Sequence, residues 1–156
     1  MSNNKIVQVI VAGGVIIHQK EILILKRSSR EKVLPNYWEI PSGKKLPLEN
    51  VEVCLAREVR EETGLLIEPI LPFSVFEYQV ASNNEIQECT QINYLSLPKR
   101  KSRIALSEEH EDFDWIRKED LHHYKMSKEV KKVINRAFEL KKMLDSFKRR
   151  KIDPRG

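Results

Sequence analysis

Two rhythms of apolar residues run along this chain. Ile6 to His18 is dense in Val and Ile and predicts a strand, and Glu21 to Arg27 predicts a second, with Gln19-Lys20 turning between them. Gly13-Gly14 inside the first strand predicts a bulge or a close approach to the backbone. Ser28 to Asn36 is polar and includes Pro35, so it reads as a loop. Tyr37 to Ile40 is a short extended piece stopped by Pro41, and Ser42 to Glu49 reads as another loop. Asn50 to Thr63 then changes to helical spacing, with Val51, Leu55 and Val59 four apart. Asn50 is the expected N-cap, Glu52 suits the positive helix end, and Gly64 sits where a left-handed C-cap belongs. Beyond Pro72, Phe73–Val80 and Ile86–Leu97 predict two strands joined as a hairpin. Phe113 to Ile116 is a further short strand, and Lys118 to His122 a helical turn. From Ser127 a long helix is predicted, with Val130, Val133, Ile134, Ala137, Leu140 or Lys141, Leu144 and Phe147 on one stripe. Strands, helix, strands, helix is the order of an α/β fold whose mixed sheet is covered by helices. There is no internal repeat and no low-complexity tract.

Length and charge narrow the picture. At 156 residues the chain suits one domain, and 40% hydrophobic content suffices for a packed core. The one long apolar stretch, Ile6 to Ile17, is broken by Gln8 and the glycine pair and is too short for a membrane span. The start Met-Ser-Asn-Asn lacks the basic flank of a signal peptide. Two cysteines, Cys54 and Cys89, cannot build a disulfide framework or a four-ligand zinc site, and free thiols fit a cytoplasmic location. The net charge of +5 hides a division. Lys125 to Gly156 holds 12 Lys+Arg against 4 Asp+Glu, while the other 124 residues hold 16 against 19. The body is therefore mildly acidic and the C-terminal segment strongly basic.

The acidic body contains the most informative segment. Glu58, Glu61 and Glu62 are related by i, i+3 and i+4 and share one helical face. Such a face is either solvated and screened by Arg57 and Arg60, or it holds a divalent metal, for which oxygen donors on successive turns suit Mg²⁺. The surrounding spacing bears on that choice. Gly43, five residues, Glu49, seven residues, Arg57-Glu58-Val59, one residue, Glu61-Glu62, one residue, Gly64-Leu65 matches every fixed position of the Nudix box. At average composition such a match arises by chance on the order of 10⁻⁹ per starting position. The chain resembles a Nudix hydrolase. Tyr37-Trp38-Glu39-Ile40-Pro41 leads into the box in that family's way, and Leu106 to His110 followed by Trp115-Ile116 is similar to its late segment.

The resemblance implies a Nudix-type α/β/α sandwich over residues 1–147, with a basic tail at 148–156. It implies hydrolysis of a pyrophosphate bond in a nucleoside diphosphate linked to a moiety X, with Mg²⁺ or Mn²⁺. A nucleoside triphosphate, cleaved to monophosphate and pyrophosphate, is the first expectation. Nucleotide sugars, dinucleoside polyphosphates or a non-catalytic nucleotide- or RNA-binding module are the alternatives. By the same resemblance Glu58 and Glu62 are metal ligands, and Glu61 is a ligand or the group that positions or deprotonates water. Glu49 and Arg57 form a supporting ion pair, and Glu109, or else Glu108, supplies an extra carboxylate. The family commonly has two glycines at the head of the box, and this chain has Ser42-Gly43, which restricts φ at Ser42.

Other residues carry weaker expectations. Lys44, Lys45 and Arg27 are candidates to meet phosphate oxygens, or else ordinary surface cations. Tyr37 and Trp38 stack on a base or, for Trp38, join the core. Cys54 is expected to be packed, and His18, His110, His122 and His123 have no ligand spacing. The last helix carries Lys128, Lys131, Lys132, Arg136 and Lys142 opposite its apolar stripe and continues into Lys148 to Lys151. Without interleaved aromatics this favours a solvated face over nucleic-acid binding. The expected partner is a small nucleotide-like substrate, with no membrane, and the chain is a monomer or a homodimer.

Overall fold

Strand β1 (Lys5–His18) runs through the middle of the protein, and its second half is buried on both faces. In the computed structural model, which describes residues 3–100 and 102–152, its neighbour β2 (Glu21–Arg27) is covered in the same way. Val15 and Ile17 face one side with Ile22 and Ile24, and Ala12 and Ile16 face the other with Leu23 and Leu25. Strands covered on both faces need no polar alternation, which explains their near-continuous apolar runs. Helix α2 (Lys128–Ile152) covers the first side through Val130, Val133, Ile134 and Ala137. Helix α1 (Val51–Thr63) covers the second through Cys54, Leu55 and Val59. The result is a mixed α/β sheet between two helices.

The sheet path is β3 (Trp38–Glu39), β2, β1, β6 (Glu85–Pro98) and β5 (Ile67–Ser82). Strand β4 (Ser42–Lys44) pairs with β1, and β7 (His110–Ile116) pairs with β2. The β1–β6 ladder is parallel over residues Lys5↔Glu85 to Ile16↔Ser96, and the other ladders are antiparallel. Strands β1 and β2 pair only at Ile17↔Ile22 and His18↔Glu21, next to their turn. Beyond it they diverge, and residues 38–44 fill the wedge. Strand β3 bonds to the edge that β1 leaves on β2, at Leu25↔Glu39. Strand β4 bonds to β1, at Ala12↔Gly43. The box entrance is thereby pinned between two diverging strands.

Several boundaries differ from those expected. Residues 42–44, expected in a loop, form β4 because β1 has a free edge there. Strand β5 begins at Ile67, before both of its prolines. Proline survives there because β5 is an edge strand and its register shifts fall at Pro69/Leu71 and Pro72/Ser74. The glycine pair makes no bulge, since the β1 ladders stay in register through it. It is instead a close approach: a Cβ on Gly13 would collide with Asn93 Oδ1 and Gln91 Nε2, and one on Gly14 would lie 3.0 Å from Leu55 Cδ1. In α2 the buried stripe ends at Leu144, and Phe147 is 55% exposed because the helix outruns the sheet. The helix continues unbroken through Lys148, Arg149 and Arg150, and residues 153–156 of the basic tail lie outside the described residues. Among the described residues no helix is long and apolar enough to cross a membrane. Both cysteines are free and buried.

Candidate active site

Helix α1 is fixed at both ends. The Asn50 side chain accepts from Glu52 N–H at 2.8 Å, and Gly64 closes the helix at φ 76° with its N–H on the Arg60 carbonyl. Leu55 and Val59 anchor the inner face, so Glu58 and Glu62 lie along the flank that meets β4, while Glu61 is exposed. Two features of the box entrance receive them. A Cβ on Gly43 would overlap the Glu58 carboxylate, so glycine is the residue that lets this acid lie against β4. The Ser42 N–H donates to Glu62 Oε2 at 3.3 Å. Ser42 lies in a strand and has no left-handed φ, so serine fits where the family commonly has glycine.

Glu62 is only 5% exposed, and burial pushes its carboxyl up to about 9. The charges of Glu39, Glu109 and Glu58 add to that effect, with the Ser42 N–H opposing it. Burial also raises Glu58, and Arg57 counters it. Glu109, carried on an exposed turn, reaches this group because Ser107 N–H bonds to the Glu62 carbonyl and Ser28 N–H to the Glu109 carbonyl. Glu108 is exposed, and Glu109 is the one whose charge is among the main influences on Glu58 and Glu62.

Arg57 is the hub of the helix flank. It grips Glu49 with two donors, Nε to Oε2 at 2.8 Å and Nη2 to Oε1 at 2.9 Å. It also donates to Glu58 at 2.8 Å, to Glu61 at 3.3 Å and to the Lys44 carbonyl at 3.2 Å. The Arg57 hydrogen bonds hold Glu49 down to about 2. A carboxyl lowered in the folded state adds stability above its unfolded value of 4.5 and loses it as pH falls through about 2. Glu49→Gln is therefore expected to melt below wild type at pH 7, with the difference fading between pH 4.5 and pH 2 in thermal scans. A difference that instead grows on acidification would contradict this sign.

The expected phosphate ligands are otherwise engaged. Lys44 Nζ donates to Gln87 at 2.7 Å and Lys45 Nζ to the Leu46 carbonyl at 3.2 Å. Arg27 binds the Val33 carbonyl, Glu39 and Glu31 at 2.8, 3.1 and 3.4 Å. Trp38 belongs to the core and packs edge-to-face on Tyr124, while Lys125 sits over the Tyr37 ring. Two site residues were not singled out from sequence. The charge of Glu39 acts on Glu62, and His110, buried at the head of β7, lies 2.9 Å from Glu39 Oε1. The only signal for Glu39 was its place just ahead of the box. A surface cavity of about 780 Å³ lies elsewhere, between the β1–β2 turn and α2, where Gln19, Phe138 and Lys142 line it. The carboxylate group is the chemically organised site.

The known proteins that this chain is like agree with that geometry. The family model for the NUDIX domain matches residues 8–137. The chain belongs to the Nudix hydrolase family. It is 29% identical over 126 residues to the nucleoside triphosphatase NudI of Escherichia coli K12, covering 72% of this chain and 84% of that protein. The crystal structure of a MutT protein from Methanosarcina mazei matches with a TM-score of 0.66 at 24% identity, over 86% of this chain and 95% of that one. A MutT Nudix hydrolase from Burkholderia pseudomallei matches with a TM-score of 0.63 at 25% identity, over 85% and 96%. As a Nudix hydrolase the chain works on small nucleotides with a divalent metal, and its residues fit one. The donors are hard carboxylate oxygens, and a cation would relieve the buried, mutually repelling Glu62 and Glu58. Among the described residues no three His, Cys, Asp or Glu side chains are gathered closely enough to hold an ion among them. Arg57 holds Glu58 and the Ser42 N–H holds Glu62.

Proposed function

We propose that this Nudix hydrolase cleaves nucleoside triphosphates to the monophosphate and pyrophosphate with Mg²⁺, or Mn²⁺ in its place. The observation that carries this reading is the buried Glu62, held by the Ser42 N–H next to Glu58 on Gly43 and acted on by the charges of Glu39, Glu109 and Glu58, within an intact box. The substrate class follows the likeness to NudI, a nucleoside triphosphatase. Glu58, Glu61 and Glu62 would hold the metal, which when bound neutralises phosphate oxygens and acidifies a bound water. Glu61 or Glu109, both exposed, would take the proton of the attacking water. Glu49 and Arg57 keep the helix flank in register with β4. The catalytic unit is the domain 1–147, cytoplasmic and monomeric or homodimeric, and the basic segment 148–156 takes no part in the chemistry.

The test is a panel of ribo- and deoxynucleoside triphosphates, nucleotide sugars, ADP-ribose and dinucleoside polyphosphates. Each is incubated with the full chain and Mg²⁺, and phosphate and pyrophosphate are followed separately. Triphosphates are expected to turn over fastest, with pyrophosphate as co-product. Cleavage confined to nucleotide sugars or dinucleotides would overturn the substrate class, and no cleavage of any substrate would overturn the reading itself.

A further inference from the structure

We propose that His110 is a positioning residue of this active site: it donates its Nε2–H to Glu39 and fixes that carboxylate beside Glu62. The proposal rests on the reading of this site as the place where nucleotide binds. Strand pairing creates the contact. Register Leu25↔Glu39 puts β3 on one edge of β2, and register Arg27↔His110 puts β7 on the other. Residues 71 apart in sequence thus meet around the end of β2, with Arg27 between them. His110 Nε2 and Arg27 Nη1 both reach the same oxygen, Glu39 Oε1, at 2.9 and 3.1 Å. Two donors on one oxygen set the direction of the carboxylate and leave its other oxygen available as an acceptor.

The imidazole itself is built for this single contact. Its side chain is 1% exposed, and its Nδ1 is buried without a hydrogen-bond partner among the described residues. A proton on Nδ1 would strand a second buried N–H donor, so the tautomer that fits carries its proton on Nε2. A histidine kept only for packing would be served as well by an apolar ring. This one aims its single bond at an acid, as histidine partners of functional carboxylates do. The held acid also has two neighbours that matter. Its charge acts on Glu62 at the metal-binding flank and, more weakly, on Tyr78 of β5. Glu39 is therefore the acid through which His110 acts on the metal-binding flank, where nucleotide phosphates would bind.

His110→Phe removes the donor and keeps a ring, and His110→Gln restores an N–H at similar reach. In the full chain with Mg²⁺ and its best triphosphate, the Phe variant is expected to raise KM about tenfold, the scale of such supporting partners. Its kcat should change less, and the Gln variant should return KM to within about threefold of wild type. Combined with Glu39→Ala, His110→Phe should add nothing further, because both act through one carboxylate. ¹⁵N-detected imidazole spectra of the wild-type chain should show His110 as the Nε2–H tautomer. A folded Phe variant with wild-type KM, a loss confined to kcat as from partial unfolding, or an Nδ1–H tautomer would overturn the proposal. If the Phe variant does not fold, or if the wild type cleaves no nucleotide, the tautomer spectrum alone decides the His110–Glu39 pair. The second case also ends the functional reading, which keeps the two failures apart.

Discussion

Glu62→Gln is expected to lower kcat/KM by about a thousandfold and, at the same time, to stabilise the metal-free protein at pH 8. The activity loss follows from removing a carboxylate from the metal-binding flank, where several kcal/mol of charge stabilisation is at stake and each 1.36 kcal/mol is about tenfold in rate. The stability gain follows from burial. Glu62 is raised from 4.5 to about 9 in the fold, so between those values the folded chain binds a proton that the unfolded chain has released. Stability of the metal-free protein therefore falls as pH rises through that window. Glutamine carries no such penalty and can still accept from the Ser42 N–H. Thermal scans without metal should place the variant above wild type at pH 8 and level with it near pH 4. Added Mg²⁺ should raise the wild-type midpoint and leave the variant's almost unmoved. A variant that melts below wild type at pH 8 without metal would show that Glu62 is not held at a cost.

Gly43→Ala is expected to reduce activity by about a hundredfold without unfolding the chain. The backbone at Gly43 is not left-handed, so an alanine is permitted there by conformation and excluded only by space. Its methyl group would overlap the Glu58 carboxylate, which must then swing away from β4 and from Arg57. Displacement of a reacting group by about 1 Å can cost roughly two orders of magnitude. Ser42→Gly, one residue earlier, is the control. It introduces no overlap, keeps the N–H that Glu62 accepts from, and should leave activity within about threefold of wild type, since it touches no contact on this scale. A Gly43→Ala enzyme of normal rate would mean that Glu58 works from another position.

What could be read from the sequence was whatever is settled locally. Strands β1 and β2 announce themselves because both faces are buried, and α1 because its caps and inner face lie within fifteen residues. Glu58, Glu61 and Glu62 were legible for the same reason, being three positions of one helix. Strand β4 was not, since three residues become a strand only when β1 offers an edge. The start of β5 was hidden by prolines that an edge strand tolerates and a central one does not. Glu39 and His110 were missed on similar grounds. Neither has a neighbour in sequence that suggests a partner, and their contact exists only once β3 and β7 have docked on opposite edges of β2. Arg27 looked like a free cation because Val33, Glu31 and Glu39 converge on it only in the folded loop.

The parallel ladder between β1 and β6 has a consequence for how the protein is made. Every pair in it joins residues 80 apart, from Lys5↔Glu85 to Ile16↔Ser96. A ribosome adding about 5–20 residues per second needs on the order of 4–16 s to deliver β6 after β1. Through that interval β1 is an apolar segment without its long-lived neighbour, and α1 with its repelling carboxylates is already synthesised. Such distant pairing must be closed before it is rewarded, which places this chain among slow folders. The central strand is therefore the first synthesised and among the last to be completed.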